Sequence, residues 1–157
     1  MSRGIEASRI TAPRDGRDII DNSPLRDADH RESIEGLMTT RDIVTSYLRA
    51  VEAHRLDEVA GWLHPDVEVI EHPNKLNPSG KRYDAAAIRA AGERGAKLMA
   101  REVYAVTQMI VDGDRAAATI EWTGVLADGR EMTAHICSVI ELRDGKIWRQ
   151  QQYDCFA

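Results

Sequence analysis

His135, Asp154 and Trp122 carry the most specific chemistry in the sequence, because hairpin geometry brings them together. The dipeptides Asp128-Gly129 and Asp144-Gly145 each separate two strand-like runs. Asp-Gly in that setting marks a two-residue turn, since both central residues must adopt positive φ. A two-residue turn at Asp144-Gly145 pairs Arg143 with Lys146 and, counting along the strands, His135 with Asp154. A similar turn at Asp128-Gly129 sets Trp122 opposite His135. Directly opposite residues have Cβ atoms ~4.5–5.5 Å apart, within hydrogen-bonding reach for these side chains. A carboxylate beside an imidazole orients the ring and favours its protonated form, which suits proton transfer near neutral pH. The same pairing also fits an ion pair that only holds the sheet, or one on the outer face of the sheet. The row depends on regular hairpins, because a one-residue slip turns every side chain to the other face.

Further polar candidates follow from alternation. Gln150 and Gln152 share the face of Asp154 and are suited to orienting a polar group of a substrate. Glu71 and His72 close a short strand ahead of Pro73, and Trp62 ends a short helix; all three are candidates for substrate contact. Gly92 and Gly95 interrupt a helix and permit close packing, but they form no phosphate-binding loop pattern. Two cysteines, Cys137 and Cys155, are too few for a disulfide framework, and no His/Cys spacing fits a zinc site. No metal or cofactor is expected.

The elements that must position these residues occupy the chain from Thr39 onward. Thr39 or Thr40 caps a helix whose apolar face is Ile43, Val44, Tyr47, Leu48 and Val51. Asp57 caps a second, short helix through Trp62-Leu63. Val67 to Glu71 is a strand, followed by a polar loop over residues 74–82. Asp84 caps a third helix from Ala85 to about Met99. Four strands follow, at 103–111, 115–126, 131–142 and 147–154, joined at Asp-Gly dipeptides. Helices followed by an antiparallel meander predict an α+β domain with the three helices packed on one face of a curved, mostly antiparallel sheet. Residues 1–38 are crowded with Arg, Asp and Glu and lack periodicity, so they are expected to be a flexible charged extension, leaving a domain at 39–157.

The 157 residues, 43% hydrophobic and 30% charged, suit one globular domain with a core of its own. A formal net charge of −5 argues against nucleic acid as a partner. No apolar run approaches the ~20 residues of a membrane helix, and the start of the chain lacks a signal core. A cytoplasmic location with reduced thiols is expected. The apolar rows on both faces of the meander call for a homodimer through the sheet, one row being Ile136, Ile140 and Leu142, the other Val139, Cys137 and Trp122.

The segments Tyr47 to Ala53, Leu56-Asp57-Glu58-Val59 and Leu63-His64-Pro65-Asp66-Val67, with Leu142-Arg143-Asp144-Gly145-Lys146-Ile147 near the end, resemble the nuclear transport factor 2-like superfamily. Glu71-His72-Pro73-Asn74 and Tyr153-Asp154-Cys155-Phe156 are similar to its SnoaL-like branch. The resemblance, over about Thr39 to Ala157, implies a cone-shaped fold around a pocket for a small organic molecule. It also implies that Tyr47 matches the tyrosine with which ketosteroid isomerases stabilise an oxyanion, that Glu71 or His72 lies near their base, and that Asp154 lies near the aspartate of SnoaL-type cyclases. Cys137-Ser138-Val139-Ile140 carries no carboxyl where those isomerases need one, which speaks against their mechanism. Arg149, alternating away from Asp154, does not complete an epoxide-hydrolase set. The functional expectation is cofactor-independent acid–base chemistry of the isomerase, cyclase or dehydratase type. Catalysis would fall to Asp154, His135 and Tyr47, and substrate contact to Trp122, Glu71, His72, Gln152 and Trp62. The alternative is a non-catalytic ligand-binding or dimerisation module.

Overall fold

A computed structural model describes residues 38–157. The expectation of a flexible extension over residues 1–38 therefore lies, Met38 aside, outside the described residues. Helix α1 (Thr40–Glu52) begins at a capping box in which the Thr39 hydroxyl accepts from the Asp42 amide and the Asp42 carboxylate accepts from Thr39. Its buried face is Ile43, Val44, Tyr47, Leu48 and Ala50, the spacing the sequence called for apart from Val51. Helix α2 (Leu56–Trp62) starts two residues earlier than its expected Asp57 cap; Arg55 occupies that position without a side-chain hydrogen bond to the backbone. Helix α3 (Ala85–Leu98) is capped by Asp84, whose side chain accepts from the Ala87 amide.

One mixed sheet of six strands carries the helices. Its strands are β1 (Leu63–Glu71), β2 (Lys81–Tyr83), β3 (Met99–Asp112), β4 (Arg115–Leu126), β5 (Glu131–Arg143) and β6 (Lys146–Phe156). The spatial order is β2-β1-β6-β5-β4-β3, antiparallel throughout except for the β1–β6 pair. Strand β2 falls in a stretch read from sequence as loop. Three polar or aromatic residues gave no period-2 pattern, yet they pair with Val69 to Glu71. The core lies between α1 and the inner face of β4, β5 and β6, where Val44, Ile140 and Ile147 are wholly buried.

Two irregularities fix which residues face that core. Asp128-Gly129 is not a two-residue turn. Leu126 pairs with Arg130 around the three-residue loop Ala127-Asp128-Gly129, with Gly129 at φ +88° and the Asp128 carboxylate accepting from the Arg130 amide. Three-residue hairpin loops of this kind place a glycine in the left-handed region. Asp144-Gly145 does make the expected two-residue turn, with φ of +52° and +68°, and Arg143 pairs with Lys146. A bulge follows at once: Leu142 pairs with Ile147 but Glu141 pairs with Arg149, leaving Trp148 extra.

The expected row of Trp122, His135 and Asp154 is thereby corrected. Trp122 lies opposite Ala134, His135 lies between Glu121 and Cys155, and Asp154 lies opposite Ile136. His135 points to the exposed outer face, and Asp154 to the inner face. Trp122 is inside too, not in the outer row with Val139 and Cys137.

Candidate functional site

A cavity of about 270 Å³ lies between the sheet and the helices. Its walls are mostly apolar: Val51, Leu56, Val59, Leu63, Val69 and Ile88 contribute. It stays unfilled because α3 turns small residues toward it. Ala85, Ala91, Gly92 and Gly95 line the space, and no residue of α3 is fully buried. At Gly92 a Cβ would stand 2.6 Å from Leu56 Cδ2, so a larger residue would push that side chain aside. A Cβ at Gly95 would come no nearer than 4.0 Å to His54 Cε1, so that glycine leaves open volume.

Polar groups converge on the cavity from three places. The first is a ladder along β6. Tyr47 Oη donates to Gln150 Oε1 at 3.2 Å, Gln150 Nε2 donates to Ser138 Oγ at 2.8 Å and to Gln152 Oε1 at 3.2 Å, and Gln152 Nε2 donates to the Asp154 carboxylate at 2.9 Å. Tyr47, Gln150 and Gln152 line the cavity, and Asp154 is the next residue on the same face. Burial pushes the Tyr47 phenol up to about 12. Burial also raises the Asp154 carboxyl above its ordinary range; the negative charge of Glu71 adds to this, and the Gln152 amide opposes it.

Glu71 is the second. Burial alone would raise its carboxyl, but hydrogen bonds outweigh that and hold it below the usual range. Asn77 Nδ2 and Asn74 Nδ2 both donate to Oε1 at 2.6 Å, and Tyr83 Oη donates to Oε2 at 2.7 Å. Tyr83 is pushed up to about 12 by burial and by its bond to Glu71. Gly80, at φ +65°, lets the loop pass close to this site; a Cβ there would lie 2.7 Å from the Glu71 carbonyl oxygen.

The third place is formed by His54 and Glu102, both lining the cavity. His54 Nε2 lies 3.1 Å from Glu102 Oε2, too bent for a hydrogen bond, so Nε2 is buried without one. Glu102 Oε1 accepts from Trp122 Nε1 at 3.0 Å and, more weakly, from Tyr104 Oη at 3.5 Å. A histidine, a carboxylate and Trp122 thus do meet here, although the histidine and carboxylate are not the expected ones. From the sequence, β3 is expected to start at Val103, one residue beyond Glu102, and His54 to end a helix. The signal passed over is Glu102 and Tyr104 at period-2 spacing, on the face shared with Trp122.

Of the remaining expected site residues, His72 turns outward, stacking on Tyr153 with ring centroids 4.2 Å apart and donating from Nε2 to Gln151 Oε1 at 3.1 Å. Strand alternation sends Glu71 in and His72 out. Trp62 is not part of the cavity wall, and Trp122 reaches the site only through Glu102. Among the described residues, no cluster of three or more His, Cys, Asp or Glu side chains is arranged to hold a metal ion. No helix among them is long and apolar enough to cross a membrane.

The family model described as the SnoaL-like domain matches residues 44–150, most of the chain. The chain belongs to the SnoaL-like domain family. It is a SnoaL-like member of the nuclear transport factor 2-like superfamily. Among curated proteins, none matches the chain significantly. Solved structures share the fold at low identity. A Catenulispora acidiphila protein with a ketosteroid isomerase-like fold, in complex with trimethylamine, is 16% identical with a TM-score of 0.62, over 73% of this chain and 86% of that one. IdmH of Streptomyces antibioticus, a provisionally assigned polyketide cyclase, is 15% identical with a TM-score of 0.63, over 74% and 92%. A Burkholderia pseudomallei NTF2-like protein of unknown function is 18% identical with a TM-score of 0.63, over 74% and 91%. At such identities the likeness is one of fold.

Proposed function

We propose that this SnoaL-like chain is a cofactor-independent enzyme doing acid–base chemistry on a small, mostly apolar organic molecule. The reaction removes a proton beside a carbonyl and returns it elsewhere, with isomerisation, cyclisation or dehydration as the outcome. One observation carries the reading: Asp154 and Glu71, coupled electrostatically near the same cavity, have their carboxyls pushed in opposite directions. Environments that split two carboxyls apart are how one site obtains both a proton-exchanging group and a fixed anion. Asp154 is the base, held by the Gln152 amide. Glu71 remains an anion that keeps Tyr83 in place. Tyr47 and Gln150 orient a polar group of the substrate, and the apolar wall excludes water, which strengthens each of these interactions. The cone-shaped enclosure implied by the family would complete that exclusion.

Deuterium exchange into the α-positions of small ketones in heavy water, followed by NMR, tests this without knowledge of the physiological substrate. The wild-type protein is expected to accelerate exchange, and Asp154→Asn to lose roughly 10²–10⁴-fold of that rate with its fold intact by circular dichroism. Ketone binding without exchange in the wild type would favour the ligand-binding module instead. Exchange that Asp154→Asn leaves unchanged would remove Asp154 as the base.

A further inference from the structure

We propose that His54, held by Glu102, is a second proton-transferring residue of the same cavity, acting on small carbonyl compounds. The inference rests on the acid–base reading above and supplies what that reading leaves out. Moving a proton between two positions of a substrate is eased by two groups, one taking the proton and one giving it. Asp154 stands on β6 just beyond the lining residues Gln150 and Gln152, and Glu102, which lines the cavity, stands on β3, three strands away in the same sheet.

The geometry carries the assignment. His54 follows α1 in the left-handed region at φ +53°, at the C′ position of a Schellman cap in which the His54 amide donates to the Val51 carbonyl and the Arg55 amide to the Ala50 carbonyl, so the helix end fixes where its ring leaves the backbone. Its ring lines the cavity while Nε2 is buried 3.1 Å from Glu102 Oε2. Among the described residues no hydrogen bond to the protein engages Nδ1, and the ring is one of the groups that line the cavity. Glu102 is itself fixed: its side chain is 10% exposed, and the Trp122 indole N–H binds its other oxygen. Gly95 leaves open space beside His54 Cε1, where a larger residue would fill it. In the proton-transfer step Asp154 takes the α-proton and the C–H electron pair passes into the enolate, while the His54 imidazolium, its Nε2–H turned to the Glu102 carboxylate, gives its Nδ1 proton to another substrate atom. Asp154 then releases its proton to solvent and the Nδ1 lone pair takes one up, which restores both groups. Bent alignment before the substrate arrives is common at such pairs.

Phenacyl bromide, a haloketone of the proposed class, tests the pair directly. Nδ1 attacks the bromine-bearing carbon, the C–Br bond breaks and bromide leaves. Peptide mass mapping is expected to find alkylation at His54 at least tenfold faster than at His64, His72 or His135, and at least tenfold slower in Glu102→Gln. Labelling spread over the other histidines with His54 untouched overturns the proposal. The companion variant is His54→Gly, chosen because glycine accepts φ +53° and so should fold. In the exchange assay with acetophenone its rate should fall about 100-fold and recover when free imidazole is added to fill the vacated space. A wild-type rate in His54→Gly overturns the proposal even where Asp154→Asn is inactive. Selective His54 labelling with no exchange by the wild type would keep the pair and defeat the enzymatic reading.

Discussion

Replacing Glu71 tests whether this carboxylate, as an anion, organises the loop over residues 74–80. Its two oxygens hold three donors: the amides of Asn74 and Asn77, both at 2.6 Å, and the Tyr83 hydroxyl at 2.7 Å. Hydrogen bonds to charged groups contribute about 1.5–3 kcal/mol each when sheltered. The site is only part-buried and both amides can turn to water, so the lower end applies, and the three bonds do not simply add. Glu71→Ala is then expected to cost ~2–4 kcal/mol. Glu71→Gln, which keeps the shape but loses the charge, is expected to cost ~1–2 kcal/mol. The pH dependence has a definite sign. A carboxyl held below its ordinary range stabilises the fold above that range, about pH 4, and the contribution is lost as pH falls through the lower folded value. Urea unfolding from pH 7 downward should therefore show the gap between wild type and Glu71→Ala closing below about pH 4. A gap that is absent at pH 7, or constant across the range, would refute the argument.

Three other outcomes are expected. Because burial raises the Asp154 carboxyl in the fold, that group favours folding most at low pH and loses this as pH rises through its folded value, so Asp154→Asn should match or exceed wild-type stability at pH 7; a clear loss in urea unfolding there would mark Asp154 as structural. Gly124→Ala would set a Cβ 2.5 Å from Trp122 Cζ2 and Cη2, costing ~1–3 kcal/mol and moving the indole off Glu102, visible as a changed tryptophan emission; unaltered emission and stability would contradict the packing described. We expect a homodimer through the outer face of the sheet, where Ile110, Val139 and Tyr153 are exposed, and light scattering at micromolar concentration giving a monomer mass would count against it.

Much of the fold was legible because its signals are local. The cap at Thr39 or Thr40, the apolar spacing of α1, the Asp84 cap and the Asp-Gly turns each depend on a few adjacent residues, and the structure has helix starts at Thr39 and Asp84 and reverses the chain at the Asp-Gly dipeptides. Strand β2 was not legible. Its three residues form a strand only because Glu71, Ile70 and Val69 offer an edge to pair with, which is information held elsewhere in the chain.

The site was legible only in part, because facing is decided by parity. A turn dipeptide says where a hairpin reverses but not whether two or three residues make the loop. At Asp128-Gly129 the third residue, Ala127, moves Trp122 from His135 to Ala134. At the other hairpin the turn is as expected, and the extra residue enters beyond it. Trp148 is held on its strand with the Arg143 and Arg149 guanidinium carbons 3.4 and 4.1 Å from its ring centroid, contacts that favour keeping it in place. Continued from Ile147 without that bulge, regular alternation would aim Arg149, Gln151 and Tyr153 at the cavity. With it, Gln150, Gln152 and Asp154 face inward and the hydrogen-bonded ladder to Tyr47 becomes possible. The relative placement of Gln150, Gln152 and Asp154 survived in the sequence reading because period-2 spacing within one strand needs no partner. The pairing of Asp154 with His135 failed because it needed two hairpins to be regular at once. A cavity residue supplied by the cap after a helix, as His54 is, has no strand parity to read at all; the left-handed turn that closes α1 and the approach of Glu102 set it at the wall.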